Sequence, residues 1–458
     1  MNEQVLILAA GLTLVYAIFS RVASRSVVTP PMVFMGVGLL CSPLGLGLIE
    51  IQIDNKAIAL LATVALTITV CSDASQVDRR EIRKIEQLPI RLLLVGLPLT
   101  MLLGAGLAAL SFPGFELAAL VLLAVLLSPT DAALGQAVIT SEAVPEPIRE
   151  ALNVESGLND GIALPPIFVL LFLLGADLGD AGAHGWLVFA ALQILLGPVA
   201  GALVGIGGGR LIDSAANRGW LDPGFGRMTL PAVAMLAYAV AEAIGGNGFI
   251  AAFVSGFTLG VKTKAVREAM TDFGETEGTL LSLLVFLILG LAMIPHTVEH
   301  WSVTTTVYAV LSLTVVRLLP VAISLIGMRL DLRTILFIGW FGPRGIASIL
   351  YLLLLVQYLG ASGYETLIAT GIQTVVLSVL LHGLTAAPLG GAVRTLDERT
   401  QGALERPAAP YAAAASRAAT MRWMTAMTIA VVQPNMMVPF AAWKEESSCQ
   451  PASSVMSP

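Results

Sequence analysis

Charge is what this chain most lacks. Only 12% of its 458 residues are Asp, Glu, Lys or Arg, while 56% are hydrophobic; soluble domains carry about 25% charged residues. That balance excludes an ordinary soluble domain and describes an all-α polytopic protein whose solvent is the lipid bilayer. Cysteine is nearly absent. Cys41, Cys71 and Cys449 are odd in number and far apart, which argues against a disulfide framework or a thiolate metal site. Cys41 and Cys71 fall in or beside apolar runs and read as small packing residues. Histidine is equally scarce. His184, His296 and His300 lie in or near expected outside loops and read as solvated, and His382, in the last apolar run, reads as a satisfied core histidine. None is placed beside the acids, which argues against a metal-dependent enzyme, and no cofactor is called for. A basic stripe interleaved with aromatics is missing too, so the net charge of -6, spread over loops, carries no case for nucleic acid. Glu3 heads the first apolar run with no Lys or Arg before it, which is not the layout of a cleavable signal peptide.

Long apolar runs are what the chain has in abundance. They fall at about 4–20, 28–49, 56–72, 89–110, 115–138, 148–174, 186–209, 229–244, 247–260, 278–295, 303–327, 333–356 and 363–387, which predicts thirteen spans. The division of 229–260 at Gly245-Gly246-Asn247-Gly248 follows from loop charge. With an outside N-terminus and thirteen spans, the inside loops hold Arg21, Arg25, Arg79, Arg80, Arg83, Lys84, Arg149, Arg210, Arg218, Arg227, Lys262, Lys264, Arg267, Arg329 and Arg333. Only Lys56, at a span edge, is left outside, whereas merging 229–260 would put five of those basic residues there. Residues 1–390 thus read as the transmembrane domain. Residues 391–458, rich in Ala, Met, Pro and Ser, read as a cytoplasmic tail.

Polar residues inside the apolar runs are the candidate site. A membrane protein keeps them where they face a cavity, pair with one another or do chemistry. In Glu155-Ser156-Gly157-Leu158-Asn159-Asp160, helical spacing puts Ser156 and Asp160 on one face and Glu155 and Asn159 on the neighbouring one. Two spans are interrupted, the fifth at Ser128-Pro129-Thr130-Asp131 and the twelfth at Phe341-Gly342-Pro343-Arg344-Gly345. Proline removes a backbone donor and crowds the preceding turn, so each helix is expected to break. Broken helices in corresponding positions of two halves point to an inverted-repeat transporter with its site near the midplane. The opposite charges fit that reading, with Asp131 offsetting the positive ends of facing half-helices and Arg344 the negative ones. Arg91, at the start of the fourth span, and Arg317, in mid-span, need partners as well.

These motifs resemble the cation:proton antiporter-1 family, nearest to the NhaP-type sodium/proton antiporters of bacteria and archaea. Ser128–Ala137 and Glu155–Gly161 carry the resemblance, with further matches at Val316-Arg317-Leu318, Trp340–Gly345 and Ala241–Gly248, and it covers roughly residues 5–390. It implies thirteen helices, two inverted six-helix repeats with crossed broken helices, a homodimer in the plasma (inner) membrane, and a part in sodium transport and pH homeostasis. It further implies that Asp160 binds the cation and carries the proton, with Asp131, Thr130 (through its carbonyl) and Ser156 as site neighbours and Asp73 a further acid near the ion. Asn159 would stabilise the broken helix and, being neutral, make exchange electroneutral. Glu155 would pair with Arg317, and Arg344 would serve the crossing. Asn247 departs from the family's pattern, which has serine there. The resemblance does not extend to the tail after residue 390.

The chemistry agrees with the resemblance. Sodium prefers a cage of several oxygens, and a poorly solvated carboxylate can hold a proton or a cation but not readily both. Two readings from other classes compete. An intramembrane aspartyl protease would pair two aspartates, yet its Gly-x-Gly-Asp context is missing before Asp160. A passive channel calls for rings of identical residues around a pore, not one asymmetric site. Within transport, potassium remains the alternative to sodium or lithium. Glu242 is left balanced between the ion pathway and a helix interface.

Overall fold

Inside a bilayer no water is present to satisfy backbone N–H and C=O groups, so an apolar chain is forced into helix. The computed structural model describes residues 3–23, 27–51, 56–76, 88–131, 134, 144–175, 186–261, 268, 278–328 and 330–392. Fourteen helices account for most of them: α1 Glu3–Ala23, α2 Pro30–Cys41, α3 Lys56–Gln76, α4 Leu88–Ser111, α5 Leu117–Leu126, α6 Glu146–Leu173 and α7 Trp186–Asn217. The second half holds α8 Thr229–Ala243, α9 Gly248–Leu259, α10 Thr279–His300, α11 Val303–Ser324, α12 Leu332–Trp340, α13 Ile346–Leu359 and α14 Glu365–Ala392. Outside the described residues lie Arg25, Arg79, Arg80, Arg83, Lys84, Lys262, Lys264, Arg267, Arg329, His184, Cys449, all but Leu134 of the Ala132–Ala137 motif, and the tail from residue 393.

Each of the thirteen expected stretches contains a helix, but only nine helices among the described residues are long and apolar enough to cross a membrane. One expected boundary is corrected. The second helix stops at Cys41, not near 49, where Ser42 turns its hydroxyl onto the Leu39 carbonyl at 2.7 Å. The fifth breaks where expected: its helix ends at Leu126, and Ser128 returns its hydroxyl to the Val125 carbonyl at 2.9 Å ahead of Pro129. The 229–260 stretch is two helices. Gly245 makes the turn between them with a φ of 78°, a conformation that costs a residue without Cβ little. Asn247 then starts α9, its Oδ1 accepting from the Ile250 N–H at 3.0 Å. An asparagine oxygen caps as a serine hydroxyl does, which accounts for its tolerance at this position.

Helices α12 and α13, of 9 and 14 residues, rise about 14 and about 21 Å. Together they make one crossing interrupted near its middle. Every residue of α13 from Ile346 to Val356 is buried, so this half-helix lies at the centre of the protein. Around it the core draws on α3, α5, α6, α9, α10 and α14. Helix α1 by contrast exposes Leu6, Ile7, Leu14 and Ile18, the apolar surface expected against lipid.

Close packing sets the distance between α7 and α9. Gly197, Gly201, Gly205 and Gly209 recur every fourth residue and lie against the backbone of Asn247, Ala251, Ser255 and Leu259. A Cβ at Gly201 would collide with the Ala251 carbonyl, whereas Gly207 faces open space. Gly201→Val should therefore lower stability by about 1–3 kcal/mol, since an overpacked contact must displace backbone. Gly207→Ala should not. Thermal unfolding of the two variants in detergent checks the contrast, and equal midpoints would count against it.

Candidate functional site

Two interrupted helices meet at α13, and each supplies what the other's break leaves unpaired. The non-helical link after α5, Leu127–Asp131, crosses the link between α12 and α13, Phe341–Gly345. At the crossing the Asp131 N–H donates to the Pro343 carbonyl at 2.8 Å. The Asp131 Oδ2 accepts from the N–H of Ile346, the first residue of α13, at 2.7 Å. A carboxylate there faces the positive end of a helix dipole. In return the Ser348 hydroxyl of α13 donates to the Leu126 carbonyl, at the end of α5, at 2.9 Å. The glycines of the second link follow from this proximity. A Cβ at Gly345 would occupy the place of the Asp131 carboxylate, and one at Gly342 that of the Arg317 guanidinium.

Helix α6 passes the crossing with its polar stretch. Asn159 Nδ2 donates to Thr130 Oγ1 at 2.7 Å, and Thr130 Oγ1 lies 3.1 Å from Ser156 Oγ. Asn159 therefore ties α6 to the unwound link of the fifth helix. Asp160 is 5% exposed, and its Oδ1 is buried with no hydrogen-bond partner among the described residues. Its main-chain carbonyl accepts from the Tyr351 hydroxyl of α13 at 2.8 Å. The carboxylates of Asp73, on α3, and Asp131 lie close enough for their charges to act on Asp160. The structure thus brings Thr130, Asp131, Ser156, Asn159, Asp160 and Asp73 to one place. Among the described residues no group of three His, Cys, Asp or Glu could hold a metal ion. A cation here would be met by carboxylate and hydroxyl oxygens together.

The remaining charges are arranged differently. Glu155, one residue before Ser156, turns away to Arg317 of α11 in a two-pronged pair: Nη1 to Oε1 at 2.6 Å and Nη2 to Oε2 at 2.9 Å. Both residues are 1% exposed. Planar, bidentate pairing gives each carboxylate oxygen its own donor, while Arg317 Nε has no partner among the described residues. Arg344 is fully buried in the second link, its Nη1 donating to the Gly342 carbonyl at 3.1 Å and its N–H to Ser378 Oγ at 2.7 Å. Arg91 donates to the Ile326 carbonyl at 2.7 Å, just past the end of α11. Glu242 is exposed and its Oε1 accepts from the Gly248 N–H at 2.9 Å, at the start of α9. The expectation that His296 and His300 are solvated is corrected. Both are half-buried; His296 Nδ1 lies 2.7 Å from the Ala292 carbonyl, and His300 Nδ1 is inaccessible. Sequence reasoning missed Ser348, Tyr351 and Ser378. The one signal available was a hydroxyl in an apolar run, which membrane helices also carry for their own carbonyls.

An apolar, all-helical body with two crossed, interrupted helices and an acid cluster at their crossing defines a multi-pass membrane protein of the inverted-repeat antiporter fold. The model of the transmembrane sodium/hydrogen exchanger family matches residues 9–391, and the chain belongs to that family. Among similar proteins, the K(+)/H(+) antiporter NhaP of Alkalimonas amylolytica is 26% identical over 84% of this chain and 66% of its own length. The K(+)/H(+) antiporter NhaP2 of Shewanella oneidensis is 25% identical over 82% of this chain and 65% of its own. The chain thus spans just under two thirds of the length of these curated relatives. Among solved structures, the sodium proton antiporter MjNhaP1 of Methanocaldococcus jannaschii shares the fold, with a TM-score of 0.69 and 17% identity over 86% of this chain and 99% of that one.

Removing one partner of a buried ion pair strands the other charge at a cost of about 3–5 kcal/mol. Arg317→Ala should accordingly lower expression and thermal stability far more than cation affinity. A variant as stable as the parent but with altered affinity would place Arg317 in the ion's path instead.

Proposed function

We propose that this chain is a secondary antiporter that exchanges a monovalent cation for a proton, both using Asp160. The observation that carries the reading is the unpartnered Asp160 Oδ1, buried beside Thr130, Ser156 and two further acids where the broken helices cross. A bare carboxylate moved through an apolar barrier costs at least several kcal/mol, so only the neutralised site crosses readily. Proton and cation each neutralise it. Competition for one carboxylate then couples the two fluxes, and access alternates as the site-bearing bundle moves. Asp131 and Asp73 add negative potential, Thr130 and Ser156 contribute oxygens, and Asn159, Glu155, Arg317 and Arg344 support the site. Such a protein is a transporter, not an enzyme.

Sodium or lithium is the first choice of cation, because the solved relative of the same fold is a sodium proton antiporter. Potassium is a second reading, favoured by the names of the two curated relatives. A neutral Asn159 beside Asp160 favours one charge exchanged for one, hence electroneutral transport. The proposal extends to a homodimer in the plasma (inner) membrane, with residues 1–390 as the exchanger, an outside N-terminus, and residues 391–458 as a cytoplasmic tail.

Proteoliposomes carrying sodium, lithium or potassium gradients test the reading, with the membrane potential clamped. Proton movement should follow at least one cation and ignore the clamp. Asp160→Asn should abolish it in a correctly inserted protein, and retained exchange would refute the site. In Asn159→Asp a second titratable group adds charge to one leg of the cycle, so transport should become sensitive to the potential. An Asn159→Asp variant that stays electroneutral would remove Asn159 from the account.

A further inference from the structure

Helix α14 holds a buried histidine that the proposed exchange does not use, and its surroundings assign it a task. In an uninterrupted helix the N–H of Arg344 would donate to the C=O of Trp340, four residues earlier. The break at Gly342-Pro343 parts that donor from that acceptor, and both lie where water cannot serve them. Two side chains one turn apart on α14 take them up. The Arg344 N–H donates to Ser378 Oγ at 2.7 Å, and the Trp340 carbonyl faces His382 Nε2 at 2.9 Å. The circuit closes between them, with Ser378 Oγ lying 3.1 Å from His382 Nδ1. Ser378 and His382 are 0% and 1% exposed. Trp340 is held a second time, by its Nε1–H to Thr385 Oγ1 at 3.0 Å, and its ring lies 4.9 Å from the imidazole.

Both ring nitrogens of His382 face a carbonyl, an acceptor only, so the proton is placed by which carbonyl lacks another donor. His382 Nδ1 has two neighbours, Ser378 Oγ at 3.1 Å and the Ser378 carbonyl at 2.9 Å. That carbonyl is four residues back in α14 and is already served by the main-chain N–H of His382, whereas the Trp340 carbonyl has lost its helical donor. The one ring hydrogen therefore goes to Nε2. Nδ1 takes the Ser378 hydroxyl hydrogen, which Ser378 Oγ has free because it accepts from Arg344. A second proton, on Nδ1, would put a cation in a buried place facing the guanidinium charges of Arg344 and Arg317; Arg317 already spends its charge on Glu155.

We infer that Ser378 and His382 are positioning residues that splice the backbone hydrogen bond broken at Trp340 and Arg344, with His382 held as the neutral Nε2–H tautomer. The splice fixes the link that carries Gly345 and the Ile346 N–H, hence the contact of α13 with Asp131. Its effect on transport rests on the exchange proposed above; the tautomer and the backbone contact do not.

The full chain has four histidines, so the imidazole ¹⁵N spectrum of ring-labelled protein is assignable by the signal lost in His382→Gln. Between about pH 5.5 and about pH 8.5, the range where an ordinary histidine titrates, His382 should keep a protonated Nε2 and a bare Nδ1. A doubly protonated ring, or the opposite tautomer, would overturn the assignment. In Ser378→Ala, amide hydrogen exchange at Arg344 should quicken by about a hundredfold as its acceptor is lost, and Ser378→Thr, which keeps the hydroxyl, should restore protection. Unchanged exchange in Ser378→Ala would remove the splice. In proteoliposomes, His382→Leu should raise the half-saturating cation concentration about tenfold, and His382→Gln, which keeps an N–H near Nε2, should recover most of it. Equal values for the two variants would overturn the positioning role. A parent inactive with every cation would overturn the proposed exchange alone, because the spectrum and the amide exchange are read without transport.

Discussion

A break in a membrane helix exposes backbone groups that have no water to turn to, and the way these breaks are satisfied governs the rest of this structure. Neither interrupted helix repairs its break alone. Asp131 repairs the second from the first, giving its amide to Pro343 and its carboxylate to Ile346, and Ser348 repays the end of α5 through Leu126. The two breaks therefore stand or fall together. That mutual dependence places the acids, since a link held at this crossing has Thr130 and Asp131 facing α6.

Within the crossing, the two central aspartates differ in what they have left to give. Asp131 has an oxygen committed to a helix N-terminus, where the dipole favours its charge. Asp160 keeps an oxygen that nothing in the described protein engages. Buried polar atoms are nearly always paired, so an orphaned carboxylate oxygen is a place for a ligand more than an oversight of folding. The distinction rests on partners, because the two residue types are the same.

The other buried charges are held apart from the site. Glu155 and Arg317 cancel in a bidentate pair one residue from the site, so this part of α6 is anchored without adding net charge. Arg344 is held in the second link by one guanidinium bond, to the Gly342 carbonyl, and by its main-chain N–H to Ser378, while its Nε and Nη2 have no partner among the described residues. At the crossing a group of acids is gathered at one place, which a cation or a proton completes. In the proposed exchange this is why one site serves both.

Hydropathy alone located the helical stretches, because the cost of an unpaired backbone in lipid is paid locally, residue by residue, and leaves its mark as runs of apolar side chains. Loop charge divided 229–260 correctly, where Gly245 turns the chain, and the apolar runs marked Asp131, Asp160, Arg317 and Arg344 as charges out of place in hydrocarbon. Hydropathy placed the end of the second helix too late, since Ser42 stops it by a local hydroxyl bond that apolar periodicity does not register. Helical spacing put Glu155 on a different face from Asp160 but named no partner; the pairing with Arg317 came from the resemblance, and the structure forms it across 162 positions of chain. Tyr351 with Asp160 and Ser348 with Leu126, 191 and 222 positions apart, had no such guide. Neither did Ser378 and His382 with the break at Pro343. Each of these bonds depends on how far one helix is rotated and slid against another. That is decided by the packing of the whole bundle, and no local pattern of residues contains it.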